Sequence, residues 1–122
     1  KIGRKLLDEM PENYRNNVVV LNSAMHMLMK FGDIQSAERY VGNEMFEKAL
    51  DLFEQIHLNF DSVTYIVVFN ACTELANDRA IKIGRKLLDE MPENYRNDVV
   101  VLTSAMDMLM KFGDIQSAER IF

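Results

Sequence analysis

Cysteine occurs once in these 122 residues, proline twice, glycine five times and tryptophan never. The single thiol, Cys72, excludes an internal disulfide and a multi-cysteine zinc site, so nothing in the chain requires an oxidising compartment. With so little proline and glycine, there are few points at which a helix must stop. Positive charge is short too: 14 Lys plus Arg stand against 19 Asp plus Glu, a formal net charge of −5. That balance argues against a strongly basic nucleic-acid binder and against adhesion to an anionic membrane, while leaving room for a local basic strip. No apolar run approaches the ~18 residues of a membrane span. Lys1 opens into IGRKLLDEM, which lacks the apolar core of a targeting peptide. What remains is 48% hydrophobic residues and nine Met, a composition of helices with adaptable packing.

An internal repeat organises the chain. Residues 1–39, KIGRKLLDEMPENYRNNVVVLNSAMHMLMKFGDIQSAER, recur at 82–120 with only three differences: Asn17/Asp98, Asn22/Thr103 and His26/Asp107. Every apolar position is kept. Identity this high means duplication, and repeats of helical pattern point to a stacked architecture.

Within VVVLNSAMHMLMKFG, the apolar positions Val20, Leu21, Ala24, Met25, Leu28 and Met29 give one wide buried helical face. Gly32 reads as the residue that ends this helix, with Asp33 capping the next. The opening residues through LLDE read as a helix stopped at Met10-Pro11, as at Met91-Pro92. The fused segment DIQSAERYVGN must serve as the second helix of one hairpin and the first of the next. EMFEKALDLFEQI places Met45, Phe46, Ala49, Leu50, Phe53 and Ile56 on one face. SVTYIVVFNACTEL is β-branched enough to pass for a strand, but its continuation through NACTELA and its helical neighbours favour helix. Asn77 or Asp78 caps the next helix, ANDRAIKIGRKLLDEM. The expectation is an all-α chain: an α-solenoid of helix-turn-helix hairpins with about eight helices.

The chain resembles the pentatricopeptide repeat proteins, in which each helical repeat meets one RNA base. YVGNEMFEKALDLFEQIHLNFDSVTY resembles the second half of that family's standard motif running into the next. VTYIVVFNACTELANDRAIKIGRKLLDEM resembles its long motif, with Asn70, Ala71 and Cys72 in the first helix, and VVVLTSAMDMLMKFGDIQSAERIF its short motif. The register divides the chain into 1–17 (end of a long motif), 18–39 (truncated short motif), 40–61 (second half of a standard motif), 62–98 (long motif) and 99–122 (start of a short motif). At Arg39–Tyr40 about 23 residues are missing if the family's ~35-residue period holds. The expectation is that this junction breaks the regular stacking.

By the same resemblance, the fifth and last residues of a motif read a base edge, and the second residue sandwiches the base. The fifth residues are Asn22, Ile66 and Thr103; the last are Asn17, Asp61 and Asp98; the sandwiching residues are Val19, Val63 and Val100. Lys30 and Lys111 match a position near the phosphates, whereas Glu74 at that position of the long motif repels them. Amide, hydroxyl and carboxylate groups have the donors and acceptors such reading needs. The register leaves only Ile66 with Asp98 as a complete pair, and Ile has no polar group. Asn22 loses its partner at the junction, Thr103 loses its partner at the C-terminus, and Asn17 and Asp61 lack the fifth residues they would pair with. Weak binding of single-stranded RNA follows, without sharp sequence preference.

Nothing supports catalysis or a cofactor. His26 and His57 have no ligand at metal spacing, the His-x-Glu and Cys-x-x-Cys elements of a zinc deaminase are absent, and no Gly-rich phosphate loop occurs. Cys72 reads as a buried small hydrophobe. Two other readings compete with RNA binding: a protein-protein interaction scaffold, and a non-functional gene fragment. The apolar ends of the array suggest self-association. A mitochondrial location is implied by resemblance alone, with no membrane association.

Overall fold

The computed structural model describes residues 17–34, 39–55 and 60–121. They form six α-helices: α1 (Val18–Ile34), α2 (Arg39–Gln55), α3 (Ser62–Leu75), α4 (Asp78–Glu90), α5 (Val99–Lys111) and α6 (Ile115–Ile121). A short 3-10 turn, Glu93–Asn97, joins α4 to α5. No strand occurs among the described residues. The fold is all-α, as the periodicity implies; the described residues hold six helices, where about eight were expected over the whole chain. The opening stretch expected to be a helix lies outside the described residues. The segment DIQSAERYVGN, expected to serve two hairpins at once, lies partly outside the described residues, at 35–38. Its second part belongs to α2, which runs through EMFEKALDLFEQ as one seventeen-residue helix.

The helices pair as hairpins, α1 with α2, α3 with α4 and α5 with α6, and the first members stack in the order α1, α3, α5. The junction at Arg39–Tyr40 falls in the first turn of α2, and α2 packs on both α1 and α3. Stacking therefore continues across the junction, contrary to the expectation that it breaks there. One helix replaces the two that a full-length register would place here, and it spans the same gap.

Capping explains why the stacked helices start where they do. Asn17, Asp61 and Asp98 each stand just before a helix and accept hydrogen bonds from its free amides, as Asn77 does for α4. The turn between α3 and α4 is only Ala76-Asn77. Ala76 adopts left-handed backbone (φ 47°) and its N–H donates to the Cys72 carbonyl.

Helix α3 is the centre of the core. Val67, Val68, Phe69, Ala71 and Cys72 are all buried on it, because α1, α2, α4 and α5 surround it. This is why its β-branched run is helical: burial on nearly every side decides the conformation over local propensity. Burial pushes the Cys72 thiol up to about 12, against weaker opposing contributions from Arg79 and the Gly84 backbone. It is an inert core residue, as its sequence context suggests.

Outside the core, Arg79 of α4 reaches back to α2 and forms ion pairs with Glu47 (2.8 Å), Asp51 (2.6 Å) and Glu54. Arg96 ties down the turn before α5 by donating to the carbonyls of Leu88 (2.8 Å) and Met91 (3.2 Å). No helix among the described residues is long and apolar enough to cross a membrane.

Candidate nucleic-acid interface

The residues singled out in the sequence gather at the starts of α1, α3 and α5. The second residue of each helix is an exposed valine: Val19 is 64% exposed, Val63 48% and Val100 59%. Water gains nothing from these side chains, so their repetition on three neighbouring helices is the feature that needs a role. Two residues before each valine stands the polar cap. Asn17 Oδ1 accepts from the Val19 and Val20 amides (2.9 and 3.4 Å), and Asp98 Oδ1 from Val100 and Val101 (3.0 and 3.2 Å). Asp61 Oδ1 accepts from the Thr64 amide (3.1 Å), while Thr64 Oγ1 accepts in return from the Asp61 amide (3.4 Å). That is a reciprocal capping box.

One turn further along, the fifth residues differ sharply. Asn22 is buried, and its Nδ2 donates to Asp61 Oδ1 at 2.9 Å. The buried Thr64 hydroxyl donates to Asn22 Oδ1 at 2.7 Å and also lies 3.1 Å from Asp61 Oδ1. Asn22 and Asp61, which the register leaves without partners, thus meet across the first hairpin. Burial raises the Asp61 carboxyl, but hydrogen bonds from Thr64, Asn22 and the Val63 backbone outweigh it and hold the group below its ordinary range. Ile66 is half-buried against the core and contributes no polar group. Thr103 is exposed and donates only to the Val99 carbonyl of its own helix (2.7 Å).

An open cleft of about 440 Å³ runs along the stacked helices, lined in part by His26, Lys30, Asn70, Glu74 and Asp107. Lys30 thus shares the cleft with the carboxylates Glu74 and Asp107. Lys111 is exposed at the end of α5. Among the described residues no group of His, Cys, Asp and Glu is placed to hold a metal ion.

A pentatricopeptide repeat-containing protein of Arabidopsis thaliana is 31% identical over 125 residues, spanning 98% of this chain and 17% of its own length. A second, named as chloroplastic/mitochondrial, is 29% identical over 127 residues, 99% of this chain and 17% of its own length. A third, named as mitochondrial, is 27% identical over 122 residues, 99% of this chain and 16% of its own. The chain is a pentatricopeptide-repeat-like protein. It spans about a sixth of the length of these relatives. No family model and no solved structure matches it.

Val18, Ser62 and Val99, where the register read from sequence would open motifs, each open a helix. Sequence reasoning did not single out Thr64, whose hydroxyl joins Asn22 to Asp61. A signal was present. Asp61-Ser-Val-Thr64 has capping-box spacing just before an apolar helix, which ties a hydroxyl to the residue expected to read a base. Of the three differences between the duplicates, His26 and Asp107 both line the one cleft, so all three lie at the starts of these helices or along the groove beside them.

Proposed function

We propose that the chain is a single-stranded RNA-binding helical repeat module, of the kind used in organelle RNA processing, acting in mitochondria as the names of some relatives suggest. The observation that carries this reading is the triplicate pattern of exposed valine and polar cap at the starts of α1, α3 and α5. Bases would lie between Val19, Val63 and Val100, with Asn22, Ile66 and Thr103 and the caps Asn17, Asp61 and Asp98 at their edges. Lys30 and Lys111 would steady phosphates. The site has no role for a cofactor or for catalysis.

Charge limits the affinity. Two lysines release few counterions, and Glu74 and Asp107 oppose the backbone in the same cleft. Fluorescence anisotropy with a labelled single-stranded RNA at several salt concentrations tests this. Binding should be micromolar or weaker, with a log–log salt slope near −1.4, about −0.7 for each of the two lysine contacts. Lys30→Ala should reduce the slope by about half. RNA retention insensitive to salt, or sub-micromolar binding at physiological salt, would contradict the reading.

A protein-interaction scaffold is the second reading. It is favoured by the acidic row Glu47, Asp51 and Glu54 on α2, which Arg79 alone pairs with among the described residues. Partner capture that survives nuclease would support it. Self-association belongs with this second reading, since Met27 and Met110 expose apolar surface on α1 and α5.

A further inference from the structure

A second cavity, of about 430 Å³, lies between α2, α3 and α4 and shares no lining residue with the cleft that holds His26 and Lys30. On α3, Tyr65 lines this cavity, whereas Asn70 and Glu74, five and nine residues on, line the cleft from the other side of the helix. Three aromatic rings wall it: Phe53 from the last turn of α2, Phe60 from the segment before α3, and Tyr65. The Phe53 and Phe60 centroids are 4.9 Å apart, and Phe60 meets Tyr65 at 6.3 Å with ring planes at 87°. The rings therefore make a corner, not a flat wall. Tyr95 holds that corner in place, its hydroxyl donating to the Phe60 carbonyl at 3.2 Å and its ring lying 5.0 Å from Tyr65.

Glu54, Glu90 and Lys86 add charge to the lining. Arg79 fixes Glu54 through Oε1. Burial first, then Tyr95 and Glu90, raise the Tyr65 hydroxyl above its ordinary range, so the Glu90 charge is felt at the ring. We propose that this cavity is a guanidinium site: it receives an arginine side chain from a basic segment of a partner protein, stacked in the Phe60–Tyr65 corner and paired with Glu54 and Glu90.

The chemistry of the lining selects this occupant. A neutral apolar ligand would strip water from two carboxylates and return no hydrogen bond. A nucleotide would stack on the rings but bring its phosphate against both glutamates. A quaternary ammonium suits the rings but has no N–H for the carboxylates. A guanidinium satisfies both, because it is planar, stacks on aromatic faces and carries five N–H donors. Glu47 and Asp51 continue the acidic row from Glu54 along α2, so residues flanking the arginine would also meet negative charge. Lys86, exposed on α4, is the competing cation.

The site shares no residue with the proposed RNA contacts, so the two readings stand or fall separately. The test titrates the 122-residue chain, carbon-13 labelled in Phe and Tyr, with a blocked pentapeptide of one arginine flanked by glycines. Parallel peptides carry citrulline, the neutral isostere, or trimethyl-lysine instead. The arginine peptide should shift the Phe53, Phe60 and Tyr65 ring resonances and bind roughly tenfold tighter than the citrulline peptide. Glu90→Gln should weaken it about tenfold, and Lys86→Met should tighten it about threefold. Both substituted residues are exposed on α4, and urea melts check that each variant keeps its fold. Equal affinity for arginine and citrulline, or no ring shift at millimolar peptide, would overturn the site. Tighter binding of trimethyl-lysine would overturn the guanidinium assignment, and indifference to both substitutions would overturn the carboxylate pairing.

Discussion

The segment VVVL-x-SAM-x-MLMKFGDI occurs twice, and the two copies fold differently. In the first, α1 runs seventeen residues, straight through Gly32 and Asp33 to Ile34. In the second, α5 stops after thirteen residues at Lys111, Gly113 takes a left-handed backbone (φ 80°), and Asp114 accepts from the Ser117 amide to start α6. The sequence expectation that glycine ends the helix and aspartate caps the next therefore holds for the second copy only. The difference follows from what comes after. Arg120 is followed by Ile121, and the chain folds back as the short α6. Arg39 is followed by Tyr40 and a seventeen-residue α2, and α1 extends to the same length against it. Local sequence offers the stop; the packing partner decides whether it is used.

Burial differs in the same way. Met27 is 49% exposed but its duplicate Met108 is fully buried; Met29 is buried but its duplicate Met110 is 55% exposed. Helix α1 turns one side towards α3 and α5 turns the opposite side towards it. The sharpest way to break this comparison is to truncate these methionines pairwise. Met108→Ala should cost about 2–5 kcal/mol, as for a buried side chain. Met27→Ala should stay within about 0.5 kcal/mol. The order reverses at Met29→Ala and Met110→Ala. Urea unfolding measures all four; equal costs for Met27 and Met108 would mean that the copies pack alike.

The glycines offer a smaller but more specific test. A Cβ at Gly32 would lie 2.7 Å from Phe46 Cε1, in the contact between α1 and α2. At Gly113 it would meet nothing within 4 Å, but the positive φ strains any L side chain. Alanine at either should cost about 1 kcal/mol, at Gly32 from overpacking net of improved helix propensity and at Gly113 from backbone strain. The reasons separate on rescue. Phe46→Leu in the Gly32→Ala background should recover stability relative to Phe46→Leu alone, whereas it should leave the Gly113→Ala penalty untouched. Rescue at both positions would refute the distinction.

The same contrast explains which features could be read from sequence. Helix starts were legible because a polar cap stands just before an apolar period at Asn77, Asp98 and Asp114. The helical state of VTYIVVF was legible from its continuation, although its burial on α3 is what secures it. The end of α1 was not legible, because Gly32 and Asp33 carry the same local signal as Gly113 and Asp114. The Asn22–Asp61 bond was hidden for another reason. It joins residues 39 apart, and their meeting depends on how far α2 carries the chain back along α1.

The finest test uses acid. Hydrogen bonds from the Ser117 side chain and amide hold the Asp114 carboxyl below its ordinary 3.8, with slight opposition from burial and help from Arg85 and Arg120. A carboxyl whose folded value lies below its unfolded one stabilises the fold fully above about 3.8 and loses that contribution as pH falls through the folded value. Asp114→Asn keeps a competent cap, so stability near neutrality should change little while the decline below pH 4 becomes shallower. Asp114→Ala should instead lower stability throughout, because α6 loses its cap. Asp33 lies within α1 rather than ahead of a helix, so Asp33→Ala should cost the less of the two copies at neutral pH. Denaturant melts between pH 3 and 6 give the comparison. An equal loss at Asp33 and Asp114 would show that the first copy also closes its helix at this aspartate, and the difference between the duplicates would vanish.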